Sequence, residues 1–283
     1  MSEIKLENIN YFHGKDTPYQ IKALDNINIT IPSGMITGLI GHTGSGKSTL
    51  VQMFNGILRP DEGRVLIDGT DIWEKPKNIR STRFRVGLVM QYPEYQLFEE
   101  TVYKDIAFGP KNMGLGEEEI HERVMEAARF SGLAIELLDK SPFDLSGGQK
   151  RRAAIAGIIA MRPDILVLDE PAAGLDPKGR ESIFSNITKY HQESGNTVVI
   201  VSHSMEDMAR YCDNLIVMNE GKLIMQGDRD YVFSRSERLT EIGLDIPHIT
   251  KLMLVLKENG VDVDGGIYTV EQAVERMMKI LKK

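Results

Sequence analysis

Four short runs of apolar residues constrain this chain more than any other feature: "MITGLI" (Met35–Ile40), "VGLVM" (Val86–Met90), "ILVLD" (Ile165–Asp169) and "TVVIVS" (Thr197–Ser202). None alternates apolar with polar residues, so strands built from them leave neither face to water. Such strands belong to a parallel sheet covered on both sides by helices. Near the N-terminus, "EIKLENIN" and "NINITI" do alternate, and suit half-buried strands of an antiparallel sheet. "NLIVMNEGKLIMQG" reads as a hairpin turning at Gly221.

Between Met90 and Ile165 the period becomes helical. "GEEEIHERVMEAARFSG" sets Ile120, Val124 and Ala127 or Ala128 on one face, and Gly132 marks the stop. After about Asp228 the composition shifts again. "DIPHITKLMLVLKENG" offers Asp245 as a cap, Pro247 near the first turn, and a stripe of Ile249, Leu252, Met253 and Leu256. "TVEQAVERMMKILKK" opens with Thr269 and Gln272 at capping-box spacing and carries Val270, Val274, Met277 and Leu281 along one face. The expected organisation is a sheet domain over residues 1–228 with a helical insert at about 92–160, followed by a helical extension over 229–283 whose apolar stripes serve either to pair two subunits or to pack on their own cassette.

Net charge is −7, which argues against a broad nucleic-acid face. The one cysteine, Cys212, can form no intrachain disulfide, and a reducing compartment is the simplest expectation. The longest apolar run, "AAIAGIIAM" from Ala153, is about half the roughly 18 residues needed to cross a bilayer. The start "MSEIKLENIN" alternates and carries charge, unlike a secretory signal. A protein of this kind working at a membrane is expected to be held there by something else.

The first expected core strand runs straight into "GHTGSGKST", which fits G-x-x-x-x-G-K-[ST]. In such a loop Gly41, His42, Thr43, Gly44, Ser45 and Gly46 wrap phosphate oxygens with backbone N–H groups, and glycine permits the turn. Lys47 supplies charge for the β- and γ-phosphates, Ser48 can ligate Mg²⁺, and Thr49 can bind a nearer phosphate. The bland reading is a glycine turn that happens to match, and the strand–loop–helix context weighs against it. "ILVLDEP" ends a buried strand with two carboxylates: Asp169 suits Mg²⁺ held through water, and Glu170 suits activation of the attacking water. Gln91 follows another core strand, where a neutral amide can touch metal or water, and His203 follows a third. Strands ending at one sheet edge would bring these groups together. A second glycine loop, "DLSGGQKRR" (Asp144–Arg152), also opens an expected helix. It is either an ordinary turn, or it touches a nucleotide that the first loop does not hold.

Together these residues resemble the ATPase subunit of an ATP-binding-cassette (ABC) system. Gly41 to Thr49 match the Walker A motif, Gln91 the Q-loop, Leu145 to Gln149 the "LSGGQ" signature, Ile165 to Glu170 Walker B, Gly174 to Asp176 the D-loop, and His203 the switch histidine. The resemblance covers roughly residues 3–228, and all the motifs occur in family order. It implies a P-loop NTPase core with an N-terminal antiparallel β-subdomain, an inserted helical subdomain and a small C-terminal extension. It also implies ATP and Mg²⁺, and a head-to-tail pair of ATPases. In that pair Ser146, Gly147, Gly148 and Gln149 of one subunit, with Asp176, close over ATP held by the Walker A loop of the other. Aligning "LENINYFH" puts His13 where the family stacks an aromatic on adenine, with Tyr11, Phe12 and Tyr19 as alternatives.

"QYPEYQLFEETVYKDIAFGPKNMG" and "TPYQIKAL" narrow the resemblance to energy-coupling factor (ECF) transporter ATPases of the EcfA-prime or CbiO type. That implies a peripheral protein on the cytoplasmic face of the cell membrane. Its partners would be a second ATPase, a transmembrane coupling subunit and a membrane substrate-binding subunit, importing a vitamin or transition-metal ion. In "YPEYQLF" the cluster of Tyr92, Tyr95, Leu97 and Phe98 suits either the core of the helical insert or an interface anchor; the resemblance favours a surface that receives the membrane partner, with Glu94, Glu99 and Glu100 at the rim. The alternatives are the ATPase of another ABC transporter, a soluble ABC protein acting on nucleic acid or ribosomes, and a non-catalytic scaffold. The single cassette, the roughly hundred-residue gap between the glycine loops and the intact acids count against the last two.

Overall fold

The structure, a computed structural model, describes residues 2–263 and 266–281. Two sheets carry the fold. In the first, β1 (Ile4–His13) pairs antiparallel with β2 (Ile21–Ile31). After the intervening β3 (Ile36–Ile40), β4 (Glu62–Ile67) and β5 (Thr70–Asp71) complete the order β2-β1-β4-β5. Ile4, Leu6, Ile27 and Ile29 turn inward at every second position. Between Leu6 and Ile9, β1 holds one residue more than β2, and between Ile27 and Leu24, β2 holds one more than β1. These two bulges cancel, so the core faces stay aligned as far as Tyr11, and a third shift follows between Tyr11 and Phe12. Asn8 and Asn26 supply the left-handed backbone at the two bulges, with φ of 52° and 50°. The N–H of Asn8 donates to Asn28 Oδ1 at 3.0 Å, and that of Asn26 to Asn10 Oδ1 at 3.0 Å, replacing ladder bonds the bulges remove.

The second sheet has the order β10-β9-β3-β8-β7-β6. Its further strands are β6 (Val86–Val89), β7 (Ile165–Asp169), β8 (Thr197–Val201), β9 (Asn214–Asn219) and β10 (Lys222–Asp228). All are parallel except β10, which returns antiparallel through a turn at Gly221. Every residue of β3, β6, β7 and β8 is buried. Alternate residues of one strand fill two different cores. Leu166, Leu168, Val198 and Ile200 pack among the helices, while Ile165, Val167, Val199 and Val201 pack against the antiparallel sheet with Ile4, Leu6 and Phe54. Each such side chain contributes about 1.5–3 kcal/mol on burial, which is why these strands tolerate no polar alternation.

Helix α1 (Lys47–Phe54) leaves the first glycine loop, and α2 (Ile79–Arg85) leads into β6. Between β6 and β7 lie α3 (Val102–Asn112), α4 (Glu117–Ser131) and α5 (Gly147–Ile159). Helix α4 buries Ile120, Val124, Ala127 and Ala128, and stops at Gly132 with φ of 69°. Helices α6 (Pro177–Ser194) and α7 (Met205–Tyr211) connect β7 to β8 and β8 to β9.

After β10 come α8 (Arg229–Phe233), α9 (Ser236–Glu241), α10 (His248–Glu258) and α11 (Val270–Leu281). Val232, Phe233, Leu239, Leu244 and Ile246 join the main core, so this part of the tail is bound to the sheet domain. Helices α10 and α11 share a small core of Met253, Val263, Ile267 and Ala273. Thr269 and Gln272 form the reciprocal cap at 3.3 and 3.2 Å. Asp245 does not cap α10. Pro247 occupies that position, while Asp245 accepts from the Ile246 N–H and pairs with Lys251 at 2.6 Å. Along α11, Ala273 and Met277 face inward, and Val270, Val274 and Leu281 of the expected stripe are exposed, as is Leu252 on α10. Helical period locates an apolar face, but the inward residue here is a small alanine that allows close approach.

Candidate nucleotide site

The parallel strands deliver their loops to one edge, where a cleft of about 490 Å³ is lined by Thr43, Gly44, Gly46, Lys47, Ser48, Thr49, Gln91, Asp169 and Glu170, with His13 at its margin. Gly41 has no room for a side chain: a Cβ there would lie 2.3 Å from the Met218 carbonyl oxygen. Gly46, with φ of 97°, turns the chain into α1, and a Cβ would meet the Ala23 carbonyl at 2.8 Å. Lys47 folds back over the loop, and its Nζ donates to the carbonyls of Gly41 and His42, both at 2.7 Å. Ser45 is buried, and its carbonyl accepts from Gly221 N–H at 3.1 Å. His42 points away from the cleft, with Nε2 3.0 Å from the Ile242 carbonyl oxygen. The tail therefore touches the first glycine loop, a contact that no sequence pattern announces.

Ser48 Oγ donates to Asp169 Oδ2 at 3.0 Å. His203 is exposed, and its Nδ1 lies 2.9 Å from Glu170 Oε1, placed to donate to that carboxylate. Glu170 itself takes a left-handed backbone, φ 50°, while its N–H donates to Val201 at 3.0 Å and its carbonyl accepts from Ala173 at 3.1 Å. A non-glycine residue in that region costs of order 1–3 kcal/mol and needs its surroundings to hold it.

A scan of family models matches residues 24–173 to the ABC transporter family. The chain is 53% identical to the energy-coupling factor transporter ATP-binding protein EcfA2 of Caldanaerobacter subterraneus subsp. tengcongensis, covering 99% of this chain and 98% of that protein. It is 51% identical to the EcfA2 protein of Clostridium tetani, over 98% and 96% of the two chains. The chain belongs to the ABC transporter ATPase family. Among solved structures this ATPase is similar to cbiO1 of Clostridium perfringens, described as part of the ABC transporter complex cbiONQ, with a TM-score of 0.75, 43% identity and coverage of 89% and 98%. It is also similar to the dimeric ATP-binding cassette MJ0796 in a post-hydrolysis state bound to ADP and Pi, with a TM-score of 0.72, 29% identity and coverage of 80% and 98%.

The electrostatics of the ATPase cleft follow from burial. Desolvation lowers the Lys47 pKa against the upward pull of Glu170 and Asp169. Burial raises that of Asp169, and Glu170 adds to the rise, while Ser48 and Lys47 oppose it. A cleft that desolvates the Lys47 ammonium and the Asp169 carboxylate side by side has the chemistry to take a charged ligand. His13 lies 3.3 Å from Thr49 Oγ1 and meets Tyr11 edge-on at 5.1 Å. Of the four aromatic candidates, His13 alone lines the cleft; Tyr11 packs into the core beneath and Tyr19 is 85% exposed. Sequence reading missed Ile21, Lys22, Ala23, Glu220 and Gly221 along the same rim. The only signal for the last two was the hairpin glycine.

The second glycine loop is absent from the lining of this cleft. Ser146 and Gly147 are exposed, and nothing approaches a Cβ at Gly147 or Gly148 within 4 Å. Ser146 and Gln149 form a full capping box on α5. Asp176 is the N-cap of α6, accepting from Gly179 N–H at 2.6 Å. The segment after Gln91 differs from expectation at Glu94. Tyr95 is exposed, but Glu94 turns inward and pairs with the buried Arg151. It is not a free acid at the rim, because the guanidinium takes both its oxygens.

Proposed function

We propose that this ATPase drives an ECF-type importer, acting in a head-to-tail pair with a second ABC ATPase beneath a transmembrane coupling subunit and a membrane substrate-binding subunit. The observation that carries this reading is the split between the two glycine loops. One lines a cleft with Lys47, Ser48, Asp169 and Glu170, while the other presents Ser146, Gly147 and a helix N-terminus outward. Each half then needs a partner to complete it. The EcfA2 names of relatives matched over nearly the full length support the ECF assignment.

In this reading Lys47 and the loop N–H groups hold the phosphates, and His13 lies against the base. Glu170 orients and deprotonates the attacking water, and His203 fixes Glu170 and senses the γ-phosphate. Gln91 completes the polar rim. The donor chemistry fits Mg²⁺: Ser48 and Asp169 adjoin, and Gln91 lines the same cleft. Among the described residues no group of three or more His, Cys, Asp or Glu forms a metal cage. Mg²⁺ commonly takes one or two protein oxygens plus phosphates and water, and bound there it would supply charge neutralisation on the phosphates.

An apolar groove lined by Phe84, Leu97, Phe98, Phe108, Ile158 and Met161 supports a membrane partner. Phe98 and Phe108 are both exposed and meet edge-on at 5.0 Å. No helix among the described residues is long and apolar enough to cross a membrane, so the cytoplasmic membrane face would be reached through that partner. The exposed Val270, Val274 and Leu281 support pairing through the tail. The imported species, a vitamin or metal ion, would be chosen by another chain. Purification from the native membrane tests the proposal: a second ABC ATPase and a multispan protein should co-purify, and recovery with ribosomes or nucleic acid instead would refute it.

A further inference from the structure

We propose that Arg151 is a positioning residue for ATP hydrolysis, its one guanidinium fastening together the segment after Gln91, the helix that opens on the second glycine loop, and the turn that starts at Glu170. Arg151 lies on α5 and is only 3% exposed. Its Nε and Nη2 donate to the two carboxylate oxygens of Glu94 at 3.1 and 2.8 Å. Nη1 donates to the carbonyl of Ala173. Glu94 stands three residues beyond Gln91, in a 3-10 turn entered through a left-handed Tyr92 with φ of 55°. Ala173 closes the turn whose first residue is Glu170, its N–H donating to the Glu170 carbonyl at 3.1 Å. Arg151 itself follows the capping box of Ser146 and Gln149 within the first turns of α5.

The two partners, Glu94 and Ala173, and the helix that carries Arg151 thus sit beside the cleft's amide, the Glu170 turn and the outward glycine loop. A planar fork with fixed N–H directions transmits displacement in a way a flexible ammonium does not. Movement of α5, when the outward loop engages a partner's nucleotide, would reach both the Gln91 segment and the Glu170 turn through one rigid group. The neighbouring Arg152 makes the contrast. It donates to the Ser131 carbonyl at 2.9 Å and to Ser182 Oγ at 3.2 Å, tying α5 to the end of α4 and to α6 without touching any site segment. The strained backbone of Glu170 needs support from its surroundings, and the Arg151–Ala173 bond is part of that support.

The inference rests on the assignment of water activation to Glu170, so Glu170→Gln is run beside the test variants. Arg151→Lys keeps the charge and loses the fork; Glu94→Gln keeps shape and leaves Arg151 a partner oxygen. Both are made in the full chain and assayed in the assembly that hydrolyses ATP. Thermal melting, ATP affinity and saturated turnover are measured for each. The expected result is ATP affinity within about twofold of wild type and turnover reduced about tenfold or more in whichever variant folds, corresponding to about 1.4 kcal/mol. A folded Arg151→Lys or Glu94→Gln protein with wild-type turnover overturns the inference. So does a loss of turnover matched by an equal loss of ATP affinity or of folded protein, since a purely structural tie would give that. If Glu170→Gln turns over normally, the assignment of Glu170 fails instead, which separates the two.

Discussion

Replacing Asp169 by Asn should make the nucleotide-free protein more stable and nearly inactive. The carboxylate sits at the end of β7, 7% exposed, and Ser48 donates to it at 3.0 Å. Burial and the nearby Glu170 outweigh Ser48 and Lys47, so its folded pKa stands above the ordinary 3.8. The folded chain therefore binds this proton more tightly than the unfolded chain. Stability is lost as pH rises through the interval between the two pKa values, and the full cost of the charge is present above the folded one. An amide keeps the shape and an acceptor for Ser48 but carries no charge. Stabilising substitutions commonly add about 0.5–2 kcal/mol, often where function had required strain. At roughly 2–4 °C per kcal/mol for chains of about 150–250 residues, the melting point should rise by about 1–8 °C. The assay is thermal melting in chelator without nucleotide, at neutral pH and again as pH is lowered, with phosphate release measured in parallel. The gain should shrink as pH falls through the raised pKa toward 3.8. A variant less stable than wild type at neutral pH, or a gain that grows on acidification, would refute the electrostatic argument.

Gly147→Asp should leave ATP binding to one subunit intact and abolish ATP-dependent pairing, measured by size exclusion, because a carboxylate would oppose the partner's γ-phosphate at several kcal/mol in a desolvated site; normal pairing would exclude the opposed-loop geometry. Glu94→Lys should destabilise the fold by roughly 3–5 kcal/mol, since it sets two cations against each other in a buried pair, whereas Tyr95→Ala, at an 85% exposed position, should leave melting and soluble hydrolysis unchanged and weaken the membrane partner by about 2 kcal/mol or more. Unchanged partner binding would remove Tyr95 from the interface. Truncation after Gly227 should destabilise the cassette severely, because it strips Val232, Phe233, Leu239, Leu244, Ile246 and Tyr268 from the main core, while truncation after Ile246 removes only Tyr268 of these, should cost less, and should weaken subunit association; equal melting points for the two truncations would refute this division.

Much of the cleft's lining was legible in the sequence because its residues fall in short local runs. The glycines of "GHTGSGKST" must lie between a buried strand and a helix, and the acids of "ILVLDEP" must end a strand that has no solvent face. Continuous apolar runs demanded a parallel sheet, and such a sheet delivers all its loops to one edge. What the sequence could not decide were contacts between segments far apart along the chain. Nothing in "YPEYQLF" distinguished Glu94 from a rim acid; Arg151, 57 residues later, decides it by offering a buried fork. Nothing in the tail said that Ile242 would meet His42 across 200 residues. Helical period alone could not choose between Val274 and Ala273 for the inward face of α11, because that choice depends on how closely α10 and its loop approach. Pattern sets which groups must be buried or turned; only packing in three dimensions sets which partner each of them finds.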